Sequence, residues 1–194
     1  MGLKDGKELR EGQGVGAQPL AALERLVKPH LARATDEAVA AAHAALGLGD
    51  MNSAVAELER AHAIDASDYR VHFALAELYL SLGRIDETRK LLAELPANLQ
   101  VGSEIAPLHA RLSLADAAAG EVGDDDIAQT YRAAVQAAVG GDFDVAVEGL
   151  LAMLPRQRVW QDGAVRKTLV DIFNVLGADE RVKAWRTRMA RSLN

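Results

Sequence analysis

The sequence predicts an all-α fold built from repeated helical hairpins, and three observations lead to this prediction. Apolar residues make up 49% of the 194 residues, but aromatic residues only 4%, and alanine supplies many of the apolar positions. Small side chains with few rings suit closely packed helices better than a sheet core. Glycines also recur at a fixed spacing, because Gly49 and Gly83 lie 34 residues apart. Gly141 follows 58 residues after Gly83, which leaves room for one additional helix between two repeats.

The first predicted element is a short β-hairpin, which does not share the helical pattern. Asp5 and Gly6 form a strong hairpin signal, and three glycines follow at alternate positions, Gly12, Gly14 and Gly16. A phosphate-binding glycine loop requires a parallel βαβ unit, and the sequence predicts no second strand of that kind. We therefore expect these glycines to belong to the second strand of the hairpin. A helix is predicted after them from Pro19, since proline suits a first helical position.

Three predicted helical hairpins follow, each centred on a turn glycine. Five residues after each glycine the side chain is small, and nine residues after it the residue is leucine. A small side chain lets the two helices of a hairpin approach closely, and the leucine fills the space beside it. Together with the 34-residue period, this is typical of tetratricopeptide repeats, which stack into a superhelix. The small residues are Ala54, Thr88 and Ala146, and the leucines are Leu58, Leu92 and Leu150.

Further helices are predicted between and after the hairpins. The stretch 104–120 is predicted to form one additional helix, and 162–177 and 178–194 are predicted to form two amphipathic capping helices. In the last of these, four apolar residues recur every three or four positions and form one stripe. They are Val182, Trp185, Met189 and Leu193. The predicted domains are therefore 1–34, which holds the hairpin and first helix, and 35–194, which holds the repeats and the cap.

Composition excludes several function classes. The chain has no cysteine, so disulfides, thiolate metal sites and cysteine nucleophiles are excluded within it, and a cytoplasmic location is expected. No apolar run reaches the length of a membrane helix. Residues 156–194 contain nine Lys and Arg against four Asp and Glu, although the whole chain carries a net charge of −6. The segment 156–194 therefore carries a net charge of +5, and the residues before it carry −6 − 5 = −11. A mainly acidic chain of this kind argues against nucleic-acid binding. The histidines and aspartates match no metal or catalytic motif, so neither a cofactor nor an enzyme activity is expected.

The first helix of each hairpin is expected to line a concave, partly apolar groove. Such a groove would suit extended unfolded chains or an amphipathic helix. Two alternatives are that the additional helix, or a contact between copies of the chain, fills the groove. The client-binding residues predicted from their repeat positions are Val39, His43, Leu46, Phe73, Glu77, Leu80, Tyr131 and Val135.

The N-terminal stretch "GLKDGKELREGQGVGAQPLAALERLV" resembles the end of a thioredoxin domain, with a final strand pair, a glycine and the last helix. The resemblance implies that residues 1–34 are a remnant of that domain. The Cys-x-x-Cys loop and the cis-proline of a thioredoxin would then lie upstream of Met1. We therefore expect the chain to begin inside a domain, and no thiol-dependent activity is implied for it.

A thioredoxin end followed by such repeats resembles the bacterial thioredoxin–tetratricopeptide co-chaperones of the CnoX/YbbN type. The tail "DGAVRKTLVDIFNVLGADERVKAWRTRMARSL" is similar to that family's ending in its Asp-Gly, Arg-Lys-Thr and Leu-Gly motifs and its Arg-rich helix. The resemblance implies a holdase that binds unfolded proteins and passes them to the chaperonin GroEL. Two other functions stay open, an adaptor scaffold and the regulatory half of a truncated thioredoxin-like oxidoreductase.

The same resemblance implies that the final helix, residues 179–194, docks on GroEL. The alternative is that Trp185 and Met189 cap the repeat stack while the arginines form a solvated face. The implied chaperonin-binding residues are Trp185, Arg186, Arg188, Met189, Arg191 and Leu193.

Overall fold

The computed structural model describes residues 19–193, with side chains described from residue 29 onward. The predicted β-hairpin within residues 2–16 lies outside the described residues. The described part of the chain forms nine α-helices and one short 3-10 helix and contains no strand. The all-α prediction is thus confirmed for this part of the chain.

The helices follow the predicted order. The α-helices are α1 (Pro19–Gly47), α2 (Met51–Ile64), α3 (Tyr69–Ser81), α4 (Ile85–Ala93), α5 (Ala106–Ala119), α6 (Asp126–Val139), α7 (Phe143–Met153), α8 (Ala164–Leu176) and α9 (Glu180–Leu193). The 3-10 helix, Trp160–Gly163, immediately precedes α8.

The chain divides into two compact units, with the boundary between Ser67 and Asp68. In the first unit α1 packs against α2, and Ala38, Ala42 and Ala54 are buried. α1 runs without a break through residues 34 and 35, where the sequence predicts a domain boundary. One helix therefore contains both the predicted end of the remnant and the first helix of the first hairpin.

The predicted turn glycines adopt the backbone conformation that favours glycine. Their φ angles are +76° at Gly49, +72° at Gly83 and +86° at Gly141. A residue with a Cβ atom is disfavoured at such angles, so glycine ends each first helix cleanly. In two of the hairpins, the second helix begins with an aspartate cap. The side chain of Asp50 accepts a hydrogen bond from the Ser53 N–H at 3.0 Å, and the side chain of Asp142 accepts one from the Val145 N–H.

Helix packing inside the hairpins follows the predicted spacing. The three small residues, Ala54, Thr88 and Ala146, have no exposed surface. The three leucines that follow are at most 3% exposed, and they are Leu58, Leu92 and Leu150. This part of the prediction is confirmed in all three hairpins.

The second unit has a core cluster to which α6, α7, α8 and α9 contribute. In α8, Val165, Leu169 and Ile172 are fully buried at the three- and four-residue spacing of one helix face. From α9, Val182 and Trp185 join this cluster, each 5% exposed. Both predicted C-terminal helices are therefore present, and α9 is part of the core.

The predicted additional helix is α5, and it lies among other helices of the second unit. Its buried residues alternate along the chain, at Leu108, Ala110, Leu112 and Leu114. Residues two apart are rotated by about 200° around a helix, so opposite sides of α5 are buried. The helix accordingly contacts α3, α4, α6 and α8.

Candidate protein-binding site

Two residues of the predicted groove are instead buried in the core of the second unit. Val135 has no exposed surface and Tyr131 is 3% exposed. The Tyr131 hydroxyl lies 2.8 Å from Thr168 Oγ1, and its ring meets the Trp160 ring edge-on at 5.0 Å. Burial raises the pKa of Tyr131 above its usual value. The prediction that Tyr131 and Val135 line an open groove is therefore wrong, because both are buried in the core cluster, where residues of α8 and the 3-10 helix contact Tyr131.

The second hairpin does place groove residues at a cleft. Glu77 is exposed and Leu80 is half-buried, and both line a cleft of about 560 Å³, which we call the turn cleft. The cleft lies between α3, α5 and the turn that joins α6 to α7. Its larger apolar residues come from six helices and are Leu80, Ile85, Leu114, Val139, Phe143 and Val175. Phe73, the other predicted residue of α3, is half-buried.

The turn cleft combines an apolar lining with two charged side chains. Glu77 projects from α3 and Arg111 from α5. Neither side chain pairs with another described residue, so both remain available to a ligand. Val139 is 55% exposed, which shows that the apolar lining is open to solvent. An open apolar cleft with free charges at its walls suits a polypeptide segment better than a small polar substrate.

Sequence reasoning missed most of this cleft. Arg111 and Leu114 belong to the additional helix, and Val139 and Phe143 flank the third turn glycine. None of the four holds a groove position of the repeat. The one sequence signal was Val139, an apolar residue placed directly before two turn glycines, where a polar residue is usual.

The first hairpin contains the remaining predicted groove residues. Val39 and Leu46 are half-buried, and His43 is exposed. All three lie on α1 in the first unit, and their role in client binding stays a prediction.

The predicted apolar anchors of the final helix pack inside the molecule. Trp185 is buried in the core cluster, with the Arg181 guanidinium 5.2 Å from its ring centre. Met189 and Leu193 are half-buried against the same cluster. Trp185 is therefore not accessible to a partner, and the prediction that it anchors docking is wrong for this conformation. The alternative, that the stripe caps the stack, is what the structure shows.

Arginines hold this helix in place. The two terminal nitrogens of the Arg188 guanidinium donate to the Glu148 carboxylate, one of them at 2.7 Å. These hydrogen bonds hold the pKa of Glu148 below its usual value. Arg158 donates hydrogen bonds at 2.9 Å to the carbonyl oxygens of Ser192 and Leu193. These oxygens lie at the C-terminal end of α9, where the helix dipole stabilises a positive charge.

Two predicted docking arginines remain on the outside of α9. Arg186 and Arg191 are exposed. The Arg186 guanidinium lies 5.2 Å from the ring centre of Phe173. An exposed cationic face is therefore present on α9, although its apolar stripe is covered.

Within the described residues, no helix is long and apolar enough to cross a membrane. Comparison with protein families gives two matches, both to the tetratricopeptide repeat, over residues 45–112 and 114–194. These ranges include all three turn glycines. No curated protein and no solved structure matches the chain significantly.

Proposed function

This chain contains tetratricopeptide repeats, and on that premise we propose that it is a non-enzymatic protein-binding module. The observation that carries the proposal is the turn cleft. It offers about 560 Å³ of open, largely apolar space, within the usual size range of ligand sites. Its walls come from separate helices, so a bound segment contacts several elements at once.

We further propose that the bound segments are unfolded or partly folded proteins, which the chain holds in the cytoplasm and passes to GroEL. The apolar lining supports this, since aliphatic contacts select for hydrophobicity rather than for one sequence. The resemblance of the tail to the co-chaperone family supports the hand-over to GroEL. Because Trp185 is buried, the proposed GroEL contact lies on the exposed face of α9 at Arg186 and Arg191. An adaptor with one specific partner is the alternative.

A matched pair of valine substitutions tests the binding site. Val139 in the turn cleft is 55% exposed, and Val145, which does not line the cleft, is 58% exposed. Val139→Glu places a carboxylate where a bound segment must exclude water, so affinity for reduced, carboxymethylated α-lactalbumin should fall about tenfold, or ~1.4 kcal/mol. Val145→Glu should bind like the unchanged chain. Equal affinities of the two variants, measured by fluorescence anisotropy, would place binding elsewhere.

A second experiment separates the holdase from the adaptor. A holdase suppresses thermal aggregation of citrate synthase at stoichiometric concentration, and Val139→Glu should weaken this suppression. An adaptor with one partner leaves citrate synthase aggregation unchanged.

The GroEL step is tested by co-sedimentation with charge reversals. Removing α9 would expose the core, so the better variant is Arg186→Glu with Arg191→Glu. Its control is Arg33→Glu with Arg156→Glu, which makes the same charge change at exposed sites on other elements. We expect GroEL binding to be lost in the α9 variant and kept in the control. Absence of binding by the unchanged chain contradicts the hand-over and leaves the adaptor.

A further inference from the structure

A second cleft lies in the second unit on the face where α5 packs against α8. It has a volume of about 250 Å³ and shares no lining residue with the turn cleft. Its walls come from α5, from α8 and from residues 100–102. We call it the Asp171 cleft, after the acidic residue that α8 contributes to it.

Asp171 is half-buried and has no hydrogen bond or ion pair with another described residue. Burial raises the pKa of this carboxyl to about 6. A carboxylate removed from water without a partner destabilises a folded protein, so native structures seldom keep one. An unpaired carboxylate beside a cleft is therefore suited to receive a cation from outside the chain.

The other lining residues favour a cation with a long aliphatic stem. Asp171 is the one carboxylate among them, and no Lys or Arg lines this cleft. Ser113 and Asn174 offer neutral oxygen acceptors, and Ile105 and Ala110 offer apolar walls. An ammonium group has three N–H donors, which one carboxylate and two neutral oxygens can satisfy.

The cations nearest to the cleft do not occupy it. Arg166 and Lys167 line a neighbouring cleft of about 350 Å³, which shares Ser113 and Asp171. The Lys167 ammonium is paired with Asp162 at 2.6 Å, and Arg166 is exposed.

From this arrangement we propose that the Asp171 cleft binds a lysine side chain of a protein partner. The ammonium pairs with the Asp171 carboxylate, and the methylene stem lies along the aliphatic wall of α5. An anionic side chain is repelled by Asp171, and an aliphatic side chain leaves the carboxylate unpaired. The site is separate from the turn cleft, so it can act together with client binding or without it.

Binding at this site should depend on pH. Asp171 must be ionised to hold an ammonium, so affinity should be full above pH 7 and fall as the pH drops through about 6. The other ionisable groups that face this region are His109 on α5, Arg166 and Lys167 on α8, and Tyr131 on α6. His109 is the one histidine that lines this cleft, so His109→Gln serves as a control that should keep the pH dependence.

The test is a nuclear magnetic resonance titration of the full chain with two short peptides. The first is acetyl-Ala-Ala-Lys-Ala-Ala-amide, and the second replaces its lysine with norleucine, which keeps the stem and removes the charge. We expect saturable amide shifts in residues 109–113 and 170–174, with affinity for the lysine peptide at least tenfold higher. Equal affinity for both peptides, or no saturable shift in these segments, overturns the proposal.

Two variants complete the test. Asp171→Asn should lose the preference for lysine, because the carboxylate that pairs with the ammonium is gone. The variant should remain folded, since it removes a poorly solvated charge. Val139→Glu should leave lysine binding unchanged, so a failure of the turn cleft is distinguished from a failure of the Asp171 cleft. A preference for lysine that survives Asp171→Asn contradicts the proposal.

Discussion

Two aspartates close together in the sequence show how the surroundings of a residue set its ionisation. Asp171 on α8 is half-buried without a partner, and burial raises its pKa to about 6. Asp179, just before α9, accepts hydrogen bonds from the Arg181 side chain at 3.0 and 2.9 Å and another from the Arg181 backbone N–H. These hydrogen bonds lower the pKa of Asp179 to about 2. Asp179 therefore stabilises the fold above acidic pH, whereas ionised Asp171 opposes folding.

Asp171→Asn should raise the free energy of unfolding at pH 7.5 by about 1 to 2 kcal/mol, after allowance for the solvent that Asp171 still contacts. The pKa in the folded state, about 6, exceeds the ordinary value of 3.8. The contribution of Asp171 to stability is therefore full below about pH 4 and is lost as the pH rises through 6. Urea unfolding at pH 4 and 7.5 measures the difference, which should vanish at pH 4.

The control for this prediction is Glu121→Gln, which removes one negative charge from an exposed residue between α5 and α6. We expect it to change stability little at either pH. If Asp171→Asn gained equal stability at both pH values, ionisation of Asp171 would not be the cause of the gain.

Much of the burial of single residues could be predicted from repeat spacing. Ala146 and Leu150 are buried because a hairpin brings these positions against its first helix, which is a local geometry. Tyr131 could not be placed in this way, since its neighbours Thr168 and Trp160 lie far along the chain. The sequence predicted its position in a repeat but not the helix that covers it.

At the scale of elements, the 3-10 turn Trp160–Gly163 before α8 has a strained backbone, because residues 161 and 162 depart from helical angles. Gln161, Asp162 and Gly163 have φ angles of +46°, +55° and +75°, so three consecutive residues are left-handed. Such a conformation costs roughly 1–2 kcal/mol for each residue with a Cβ atom. The contact of Trp160 with Tyr131 and the ion pair of Asp162 with Lys167 support this turn.

Gln161→Gly should therefore stabilise the protein, by about 0.5–1 kcal/mol, because glycine adopts a positive φ without this strain. Gln161 is exposed, so the loss of its side chain removes little packing. Thermal unfolding followed by circular dichroism measures the effect. Gln157→Gly is the matched control, since Gln157 has no positive φ and glycine there should lower the melting temperature. Equal shifts in both variants would show that strain at Gln161 is not the cause.

The capping role of α9 makes a prediction about stability. Trp185 is 5% exposed in the core cluster, so Trp185→Ala should lower the free energy of unfolding by about 3–5 kcal/mol. Arg188→Ala breaks an exposed ion pair with Glu148 and should lower the free energy of unfolding far less than Trp185→Ala does. Urea unfolding of both variants measures the contrast. A Trp185→Ala variant as stable as the unchanged chain would favour a docking role for this side chain.

At the scale of the whole molecule, the candidate site arises where separate elements of the second unit meet. The sequence predicted α3, α5, α6 and α7 as elements and placed Glu77 and Leu80 at a binding surface. It did not predict that Arg111 and Val139 complete the same cleft, because this depends on how α5 packs among the hairpins. Repeat spacing encodes local contacts, and the position of an inserted helix depends on the packing of both of its sides.

The second unit should fold and bind without the first. Residues 68–194 include the core cluster and both clefts, and with more than 120 residues they can bury a sufficient core. A fragment that begins at Asp68 keeps the α3 cap, in which the Asp68 side chain accepts from the Arg70 N–H at 3.1 Å. We expect this fragment to unfold cooperatively in urea and to bind reduced α-lactalbumin with an affinity within about twofold of that of the full chain. Val139→Glu should weaken the affinity of the fragment by the same factor as it weakens the affinity of the full chain. A fragment that unfolds cooperatively but does not bind would instead assign client binding to the first unit, with Val39 and Leu46 as the residues to substitute next.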